Sequence, residues 1–438
     1  MNSFDKLLNG FIKAGDRIGV AVSGGLDSLC LLDMLCEYKK QTDFFLCVIN
    51  VEHGIRGEES LRDSLFVRAE AERRGLPLFF KAVDVPAYAK ENQLTTEQAG
   101  RELRYAFFNS LLGFEVDKIF TAHHKDDLCE TVLMRIFRGT GVRGLAGILA
   151  ERKGFCRPLL SLTRLDLENY AKERGIKYLS DSSNYCDDYS RNFIRNKVLP
   201  LVESRFPMYR DSVSRLAGIA LEDTLLLDGL APSATAEGKA CVISISALKG
   251  VDVRLAKRSI YNCLKALDAT ADFEEKHYQP IIDLLDSQNG VGIDLAGGIR
   301  AERENDNLVF YKREKEVNAV FPLEKGEYRW GDRLLEIREY KKGDKIFFDM
   351  DKIPSTACVR SREEGDYIKK FGGGTRSLSD FYNDKKLPRR KRGYPLIADG
   401  KEVFVICGYE ISSKVKVDAD SKRIFTAVLK EINLGENK

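Results

Sequence analysis

The stretch VAVSGGLDSLCLL, residues 20–32, is the feature that most constrains how this 438-residue chain can fold. An apolar, β-forming run ends at a serine and two glycines, and apolar residues resume after an aspartate and a second serine. This order predicts a buried strand, a tight turn and a helix that begins at the turn. Glycine lets the backbone approach an anion closely, and the free amides at a helix start favour phosphate. The stretch therefore predicts a phosphate site at the end of a strand.

Short β-rich runs alternate with segments of helical periodicity through the first half of the chain. Strands and helices in this alternation form a parallel, doubly wound sheet with helices on both faces. Ligands of such sheets bind at the carboxyl ends of the strands. We predict strands at 17–22, 44–51, 77–85 and 118–122, and helices that include 58–74 and 97–113.

The pattern becomes mostly helical after residue 160 and favours strands from about residue 330. Thr163 is predicted to cap a helix, DSSNYCDD at 181–188 to form a loop, and VGIDLAGGIRAER at 291–303 to form a short hairpin. We therefore predict three domains: an α/β domain at 1–206, a mostly helical middle domain at 207–325 and a smaller α+β domain at 326–438.

Composition narrows the class of protein. Lys and Arg number 70 against 67 Asp and Glu, so the net charge of +3 does not identify a partner. The ten cysteines include no CxxC pair, and several lie in apolar runs, which predicts reduced core cysteines rather than a disulfide framework. No run approaches the ~20 apolar residues that span a bilayer, and the N-terminal residues lack a signal-peptide pattern. We expect a cytoplasmic protein that does not enter the membrane.

The hexapeptide SGGLDS offers several groups to a nucleotide. The hydroxyls of its two serines can donate to phosphate oxygens, whereas the aspartate would repel a bare phosphate. A carboxylate at this point fits if Mg²⁺ stands between it and the phosphates. The alternative to a nucleotide site is that SGGLDS forms a plain glycine turn before a helix. The candidate nucleotide-binding residues are Ser23, Gly24, Gly25, Leu26, Asp27 and Ser28.

Two other glycine patterns do not fit phosphate motifs. Gly10 and Gly15 have the spacing of a Walker loop, but Asp16 and Arg17 stand where Lys and Ser or Thr are required. GTGVRG at 139–144 matches the dinucleotide-binding glycines, yet it follows a helical segment rather than a strand. We interpret it as a loop.

A second acidic motif, HHKDDLCET, follows the predicted strand at 118–122 and so lies at the same sheet edge as SGGLDS. On a helix that begins near Asp126, Asp127 and Glu130 share a face at i, i+3. Carboxylates that face a triphosphate predict shared coordination of Mg²⁺. The alternative is an acidic helix start favoured by the helix dipole. Adjacent histidines with no suitably spaced partner do not indicate zinc.

Basic residues cluster in two places. Arg191 and Arg195 lie four residues apart on one helix face, which suits pyrophosphate or an RNA backbone. KKLPRRKRGYP carries a basic run with Tyr382 and Tyr394 nearby, and this combination fits phosphate contact with base stacking. A solvated basic loop is the alternative. The candidate RNA-binding residues are Lys385, Lys386, Arg389, Arg390, Lys391 and Arg392.

SGGLDS after a strand resembles the pyrophosphatase loop of the N-type ATP pyrophosphatases, which cleave ATP between its α and β phosphates and adenylate an oxygen. Four further motifs resemble the tRNA(Ile)-lysidine synthetase family: NVEHGIRGEES (50–60), GRELRY (100–105), TAHHKDDLCETVLMRIFRGTGVRGLAGI (121–148) and RNFIRNKVLP (191–200). The resemblance covers the first 205 residues. Two later stretches are typical of that family's last domain: VRSREEGDYI and KKLPRRKRGYPLI. The middle segment of the chain is much less diagnostic of the family.

The resemblance implies an adenine nucleotide α hydrolase-like fold and a defined reaction. ATP adenylates the C2 oxygen of the wobble cytidine in the CAU anticodon of tRNA(Ile), and free L-lysine then displaces AMP, which changes codon reading from AUG to AUA. The implied cofactors are ATP and Mg²⁺, and a homodimer is expected. The implied roles are pyrophosphate binding by SGGLDS, Mg²⁺ binding by Asp27 and Asp127, support by Glu130, and charge compensation by Arg104, Arg191 and Arg195. His53 and His124 are candidate nucleotide contacts. The alternative for His53 is a capping or loop histidine, and the alternative for Arg104 is a surface or ion-pair arginine.

Three alternatives remain open. A tRNA thiolase of the same superfamily uses the same activation with a sulfur donor, but its cytidine-modifying members carry paired CxxC cysteines that this chain lacks. An amidotransferase-type synthetase would need an ammonia source, and no glutaminase half is recognisable. A nucleotide-regulated RNA-binding protein without catalysis would not need the acidic residues of both loop motifs.

Overall fold

A six-stranded sheet of order β3-β2-β1-β4-β6-β5 organises residues 1–226, the first of two units in this computed structural model. Neighbouring strands pair in parallel, except that β5 pairs antiparallel with β6. The described residues are 4–55, 58–179, 190–269, 273–313, 317, 319–385 and 387–431. The strands are β1 (Arg17–Ala21), β2 (Phe45–Glu52), β3 (Leu78–Ala82), β4 (Lys118–Phe120), β5 (Glu151–Arg152) and β6 (Phe155–Cys156).

Helices cover both faces of this sheet, as the sequence predicts. Leu46 and Val48 of β2 belong to one buried cluster, whereas Cys47 and Ile49 belong to another. Because successive side chains of a strand point to opposite faces, β2 is buried on both sides. The helices are α1 (Asp5–Asn9), α2 (Leu26–Lys39), α3 (Glu58–Arg73), α4 (Val85–Asn92), α5 (Thr96–Leu111), α6 (Lys125–Phe137), α7 (Val142–Leu145), α8 (Arg164–Arg174), α9 (Ser190–Phe193), α10 (Leu199–Arg205) and α11 (Tyr209–Leu230).

The strand order reverses direction at β1, since β2 and β3 lie on one side of it and β4 lies on the other. Ligands of doubly wound sheets bind at this switch point, outside the carboxyl ends of the strands. The chain leaves β1 into SGGLDS and leaves β4 into HHKDD. The topology therefore brings the two predicted acidic motifs to one edge.

Two local features of this unit follow from its sequence. Thr163 caps α8 through a reciprocal hydrogen-bond pair with Asp166, as predicted. Pro200 lies in the first turn of α10, directly after a π-helical segment, Ile194–Val198. A proline supplies no N–H to the turn before it, which accounts for the irregular segment at that place. The loop predicted at 181–188 lies outside the described residues.

The second unit is residues 227–438, and its described residues form three sheets. The first has the order β7-β8-β11-β10-β9 and is antiparallel throughout. It packs against α12 (Ile245–Lys249), α13 (Val253–Ala266) and α14 (Tyr278–Asp283) through a shared apolar cluster. Its strands are β7 (Thr235–Glu237), β8 (Ala240–Ser244), β9 (Gly292–Leu295), β10 (Ile299–Glu304) and β11 (Asn307–Lys312).

The other two sheets follow residue 319. One has the order β12-β16-β19-β20-β17-β18 with β21 beside β20, and the other has the order β13-β14-β22-β15. α15 (Leu378–Asp384) packs on the former. The strands are β12 (Val320–Pro322), β13 (Gly326–Trp330), β14 (Arg333–Glu339), β15 (Phe348–Asp349), β16 (Cys358–Arg360), β17 (Tyr367–Lys369), β18 (Thr375–Ser377), β19 (Leu396–Asp399), β20 (Glu402–Ile406), β21 (Glu410–Ile411) and β22 (Ile424–Glu431).

The middle of the chain contains the helices that the sequence predicts, and it also contains a five-stranded sheet. The β9–β10 hairpin and the helices are present, but β7, β8 and β11 were not predicted. Cys241 and Cys263 are disulfide-bonded, whereas the sequence predicts reduced core cysteines rather than a disulfide framework. They lie together because β8 and α13 share one core, a contact that their spacing in sequence does not indicate. The domain boundaries at 206 and 325 stay predictions.

Candidate active site

The glycine turn after β1 has the backbone conformation that only glycine adopts without strain. Gly24 has φ +89°, and Gly25 is the N-cap of α2. Ser28 Oγ accepts the Ser23 N–H at 3.2 Å and donates to Gly25 O at 2.9 Å. The hydroxyl of Ser28 therefore fixes the turn from within. The loop leaves its backbone amides at the start of a helix, where an anion is favoured.

Replacing Gly24 with alanine is expected to destabilise the fold by about 1–2 kcal/mol, because L residues resist the left-handed conformation. The new Cβ would also lie 3.3 Å from Leu179 Cδ1, closer than most contacts. Binding of a fluorescent ATP analogue should weaken roughly tenfold, a change of about 1.4 kcal/mol. Urea unfolding and the binding titration measure both effects. Gly10→Ala is the control, because a Cβ there meets nothing within 4 Å; equal behaviour of the two variants would contradict the prediction.

The structure brings the predicted carboxylates of the two loops together around one histidine. His124 is the N-cap of α6, and its N–H donates to Asp127 Oδ2 at 3.0 Å. Its Nε2 lies 3.5 Å from Asp127 Oδ2 and 3.9 Å from Asp27 Oδ2. Asp127 therefore caps the helix, which fits an acidic helix start, and its charge also acts on Asp27. Shared coordination of Mg²⁺ by these carboxylates stays a prediction.

His124 lies between these acids, and their charges act on its imidazole. Burial alone would lower its pKa, but contact with Asp126 and the charges of Asp127 and Asp27 raise the pKa above its ordinary value. Burial is the main effect on Asp27 and raises the pKa of that carboxyl. The site thus gathers two carboxylates around one imidazole, and this arrangement would also accommodate a metal cation.

Glu130 is fully buried and joins two arginines to the site. Arg191 Nε donates to Glu130 Oε2 at 2.7 Å, and Arg195 Nε donates to Oε1 at 2.5 Å. Asp127 Oδ1 also accepts Arg191 Nη2 at 2.8 Å. The two arginines therefore reach the site from one helical face, as their spacing predicts, and here they pair with carboxylates.

Arg104 contrasts with these two arginines. It projects from α5, and burial is the main effect that lowers its pKa. Within the described part of the chain it has no carboxylate or hydrogen-bond partner. The charges of Arg101 and Arg191 lower its pKa further. A desolvated guanidinium among like charges favours a bound anion, so Arg104 is suited to phosphate.

His53 lies near Arg104 at the carboxyl end of β2. Burial and the charge of Arg104 lower its pKa, so the imidazole is neutral. Its Nδ1 is buried without a partner in the described residues. A Cβ on Gly100 would lie 3.9 Å from this nitrogen, an ordinary contact, so the glycine of GRELRY is not required for space. A neutral ring with an open nitrogen suits contact with a base or ribose.

Arg164 is a site residue that the sequence analysis did not identify. It is the first residue of α8, and its Nη1 lies 2.7 Å from both carboxylate oxygens of Asp27. Its backbone N–H donates to Asp126 Oδ2 at 2.8 Å. Asp126 also accepts Arg210 Nε at 2.6 Å, so it fixes the helices around the site. The signal in the sequence was the predicted cap at Thr163, which makes Arg164 the first residue of the helix.

A basic cleft of about 1380 Å³ lies within the second unit. Its lining includes residues of the β10–β11 hairpin, the start of β14 and the basic run. Acidic residues also occur in the lining, but basic ones prevail. The basic side chains include Lys239, Arg300, Arg313, Arg333, Arg362 and Arg389. A concave surface of this charge favours a polyanion.

The residues of the basic run have different environments. Arg389 is exposed and lines the cleft, whereas Arg390 pairs with Glu304 of β10 and Glu237 of β7. Lys385 pairs with Glu410, and Arg392 lies over the Tyr382 ring at 5.7 Å from its centroid. Lys391 ends the short 3-10 helix that Arg389 begins, and Lys386 lies outside the described residues.

The predicted stacking role of the two tyrosines is wrong for Tyr382. This side chain is fully buried in an apolar cluster, so no base can reach its ring. Tyr394 stacks on Tyr409 with the ring centroids 5.6 Å apart. Tyr394 is half-buried and lines the basic cleft, so a stacking role for this ring stays a prediction.

Comparisons with known proteins identify two regions of the chain. Residues 1–202 match a PP-loop domain family, and residues 358–428 match the TilS substrate C-terminal domain family. The tRNA(Ile)-lysidine synthase of Caldanaerobacter subterraneus subsp. tengcongensis is 36% identical over 436 residues, which cover 94% of this chain and 93% of that protein. The tRNA(Ile)-lysidine synthase of Clostridium acetobutylicum is 32% identical over 452 residues, 97% of each chain.

Among solved structures, the U34-tRNA thiolase NcsA from Methanococcus maripaludis with its 4Fe-4S cluster is similar at a TM-score of 0.43 and 20% identity. The match covers 50% of this chain and 78% of that one. None of the helices in the described ranges combines the length and apolar content needed to cross a bilayer.

Proposed function

The chain belongs to the tRNA(Ile)-lysidine synthase family, and we propose that it uses ATP and free L-lysine to convert the wobble cytidine of tRNA(Ile) with a CAU anticodon into lysidine. The observation that carries this assignment is the near full-length similarity to curated members of that family. The reaction forms a carbon–nitrogen bond, so the enzyme is a ligase. Because ATP, lysine and tRNA are cytoplasmic substrates, the cytoplasm is its place of action.

ATP binds at the switch point between β1 and β4. The turn from Ser23 to Ser28 receives the pyrophosphate moiety on backbone amides at the start of α2. Arg104, which has no carboxylate partner among the described residues, compensates phosphate charge. His53 at the end of β2 faces the base or ribose. Each assignment follows from a residue's position relative to the glycine turn or to the carboxyl ends of the strands.

Asp27 and Asp127 would hold Mg²⁺. Their carboxylates converge on His124, and a cation between them would be compensated by both. No group of three or more His, Cys, Asp or Glu in the described part of the chain could hold a metal ion by itself. Two carboxylates completed by phosphate oxygens are the usual protein share of a magnesium–nucleotide site. When bound, Mg²⁺ would neutralise charge that develops on the phosphates.

The reaction proceeds in two displacements. The C2 oxygen of cytidine attacks the α phosphorus of ATP, and pyrophosphate leaves. The lysine amine then attacks C2, and AMP leaves with the oxygen. Arg191 and Arg195, held by Glu130 beside Asp127, face the charge that grows during the first step. The proposed role of the chain is therefore to position ATP and compensate charge.

The experiment that tests this function measures tRNA-dependent pyrophosphate release with purified protein, Mg²⁺ and labelled lysine. A tRNA(Ile) transcript with CAU should release pyrophosphate and incorporate lysine. A tRNA(Met) transcript, which shares the CAU anticodon, should incorporate none. Pyrophosphate release without lysine incorporation would support the adenylation step and contradict lysine as the nucleophile. The absence of both products would favour a non-catalytic RNA-binding protein.

Reversing one charge of the basic cleft is expected to weaken tRNA binding. Arg389→Glu should raise the Kd for tRNA about 5- to 30-fold, and it should reduce the magnitude of the log Kd against log salt slope by about 1–2. Filter binding at several salt concentrations measures both values. Arg254→Glu is the control, because Arg254 is exposed, pairs with Asp252 and does not line the cleft. Equal losses in both variants would indicate that the cleft is not the binding surface.

A homodimer is also part of this proposal, supported by the resemblance to the family. Light scattering at micromolar protein concentration measures it. A molar mass of one chain at every concentration would contradict it.

A further inference from the structure

Both carboxylate oxygens of Asp27 are engaged by one arginine. Arg164 Nη1 lies 2.7 Å from each of them, and the Asp27 side chain is 27% exposed. The arginine itself begins α8, where Thr163 caps the helix and the Arg164 N–H donates to Asp126. The base of the Arg164 side chain is therefore fixed at the site, while its guanidinium serves as the counter-ion of the predicted metal ligand.

A metal ion and this guanidinium compete for the same carboxylate. A cation that coordinates an Asp27 oxygen at about 2.1 Å would lie within ~5 Å of Arg164 Nη1, and like charges at that separation repel strongly in a partly buried site. His124 is buried, so it cannot move into solvent, but the Arg164 side chain is 42% exposed. Of these two side chains, Arg164 is the one that can move away from Asp27.

The structure also contains a partner for the displaced guanidinium. Arg164 Nε lies 3.3 Å from Glu168 Oε1, one turn further along α8. The Glu168 side chain is 49% exposed, so the pair can persist at the surface after Asp27 is released. The guanidinium can thus exchange Asp27 for Glu168 without movement of the helix.

We propose that Arg164 is a positioning residue that occupies Asp27 in the metal-free enzyme and is exchanged for the divalent cation. This inference rests on the proposed role of Asp27 as a metal ligand. The exchange keeps the partly buried carboxylate paired when no metal is bound. It also predicts that metal binding is weaker than two carboxylates alone would provide.

A titration of the nucleotide-free full-length protein with Mn²⁺ tests the exchange. The EPR signal of free Mn²⁺ measures the binding. Arg164→Gln should bind Mn²⁺ about three- to tenfold more tightly than the unmodified protein, because the competing cation is gone. Glu168→Gln should bind about twofold more weakly, because the displaced arginine loses its partner. Arg174→Gln is the matched control on α8, since Arg174 pairs with Asp33 and Glu37 instead. Thermal melts establish that each variant is folded.

The outcomes separate this inference from the proposed function. Equal or weaker Mn²⁺ binding by Arg164→Gln, with binding lost in Asp27→Asn, would overturn the exchange and leave Asp27 as a ligand. Unchanged binding in Asp27→Asn would overturn the proposed metal site, and the exchange with it. Tighter Mn²⁺ binding by Arg164→Gln and weaker binding by Glu168→Gln would support the exchange, provided that both changes disappear when Asp27 is also replaced. A purely structural arginine would not produce opposite changes in affinity.

Discussion

Asp27→Asn is expected to lower tRNA-dependent pyrophosphate release by about a thousandfold or more, because it removes the charge that would hold the cation at the phosphates. The amide keeps the size of the side chain, so the glycine turn and α2 should remain in place. Burial raises the pKa of Asp27, which means that the folded protein disfavours the charged form. The neutral variant should therefore unfold at an equal or higher urea concentration than the unmodified protein.

Lost activity with retained stability is the pattern expected of a residue that serves the reaction rather than the fold. Asp33→Asn provides the control, since Asp33 lies on the same helix and accepts hydrogen bonds from Tyr170 and Arg174. That variant should keep its activity within a fewfold range. Activity of Asp27→Asn within tenfold of the unmodified protein would contradict a role for this carboxylate in catalysis.

Glu130→Gln is expected to have the largest effect on stability. Glu130 is fully buried, and both of its oxygens accept hydrogen bonds from arginines. Removing one member of a buried ion pair leaves the other charge poorly compensated, at a cost of about 3–5 kcal/mol. Because Arg191 and Arg195 are about one-third exposed and retain Asp127, we expect a loss of about 2–4 kcal/mol.

Urea unfolding measures this loss, and pyrophosphate release should fall about a hundredfold because the two arginines are no longer held beside Asp127. Glu203→Gln is the matched control, because Glu203 also pairs with an arginine, Arg210, but is 48% exposed. An exposed pair contributes about 1 kcal/mol or less. A similar loss in both variants would indicate that burial of Glu130 does not determine its contribution.

The sheet and the convergence of the two acidic loops could be predicted from sequence. Strands buried on both faces read as continuous apolar runs, and the loops after such strands meet at one edge. Asp27 and Asp127 therefore lie near one histidine although a hundred residues separate them. The order of motifs along the chain is sufficient for this inference because parallel topology leaves few alternatives.

Arg164 could not be predicted in the same way. Its contact with Asp27 spans 137 residues and depends on how α8 packs against α2. Leu167 and Leu29, one from each helix, lie in the same buried cluster. That packing results from side-chain fit, which neither helix shows alone. The sequence indicated a helix start at Thr163 but not what the first helical side chain would contact.

The contacts of the basic run and the sheet of β7 to β11 also could not be predicted from the sequence. A row of arginines does not reveal that Arg390 pairs with Glu304 and Glu237, because those acids come from strands much earlier in the chain. Tyr382 is buried for the same reason, since its partners come from several strands. β7 and β8 are short and join through a turn at Gly238, so their alternation is too brief to separate from a loop.

The most direct test of the proposed function is the mass of the wobble nucleoside in tRNA(Ile) bearing CAU, after incubation with the protein, ATP, Mg²⁺ and L-lysine. Digestion and mass spectrometry should give a cytidine whose mass has increased by that of lysine less one water. The same tRNA incubated with Asp27→Asn should give unmodified cytidine. A sulfur-bearing cytidine formed when a sulfur donor is present, or unmodified cytidine with the active protein, would contradict the assignment.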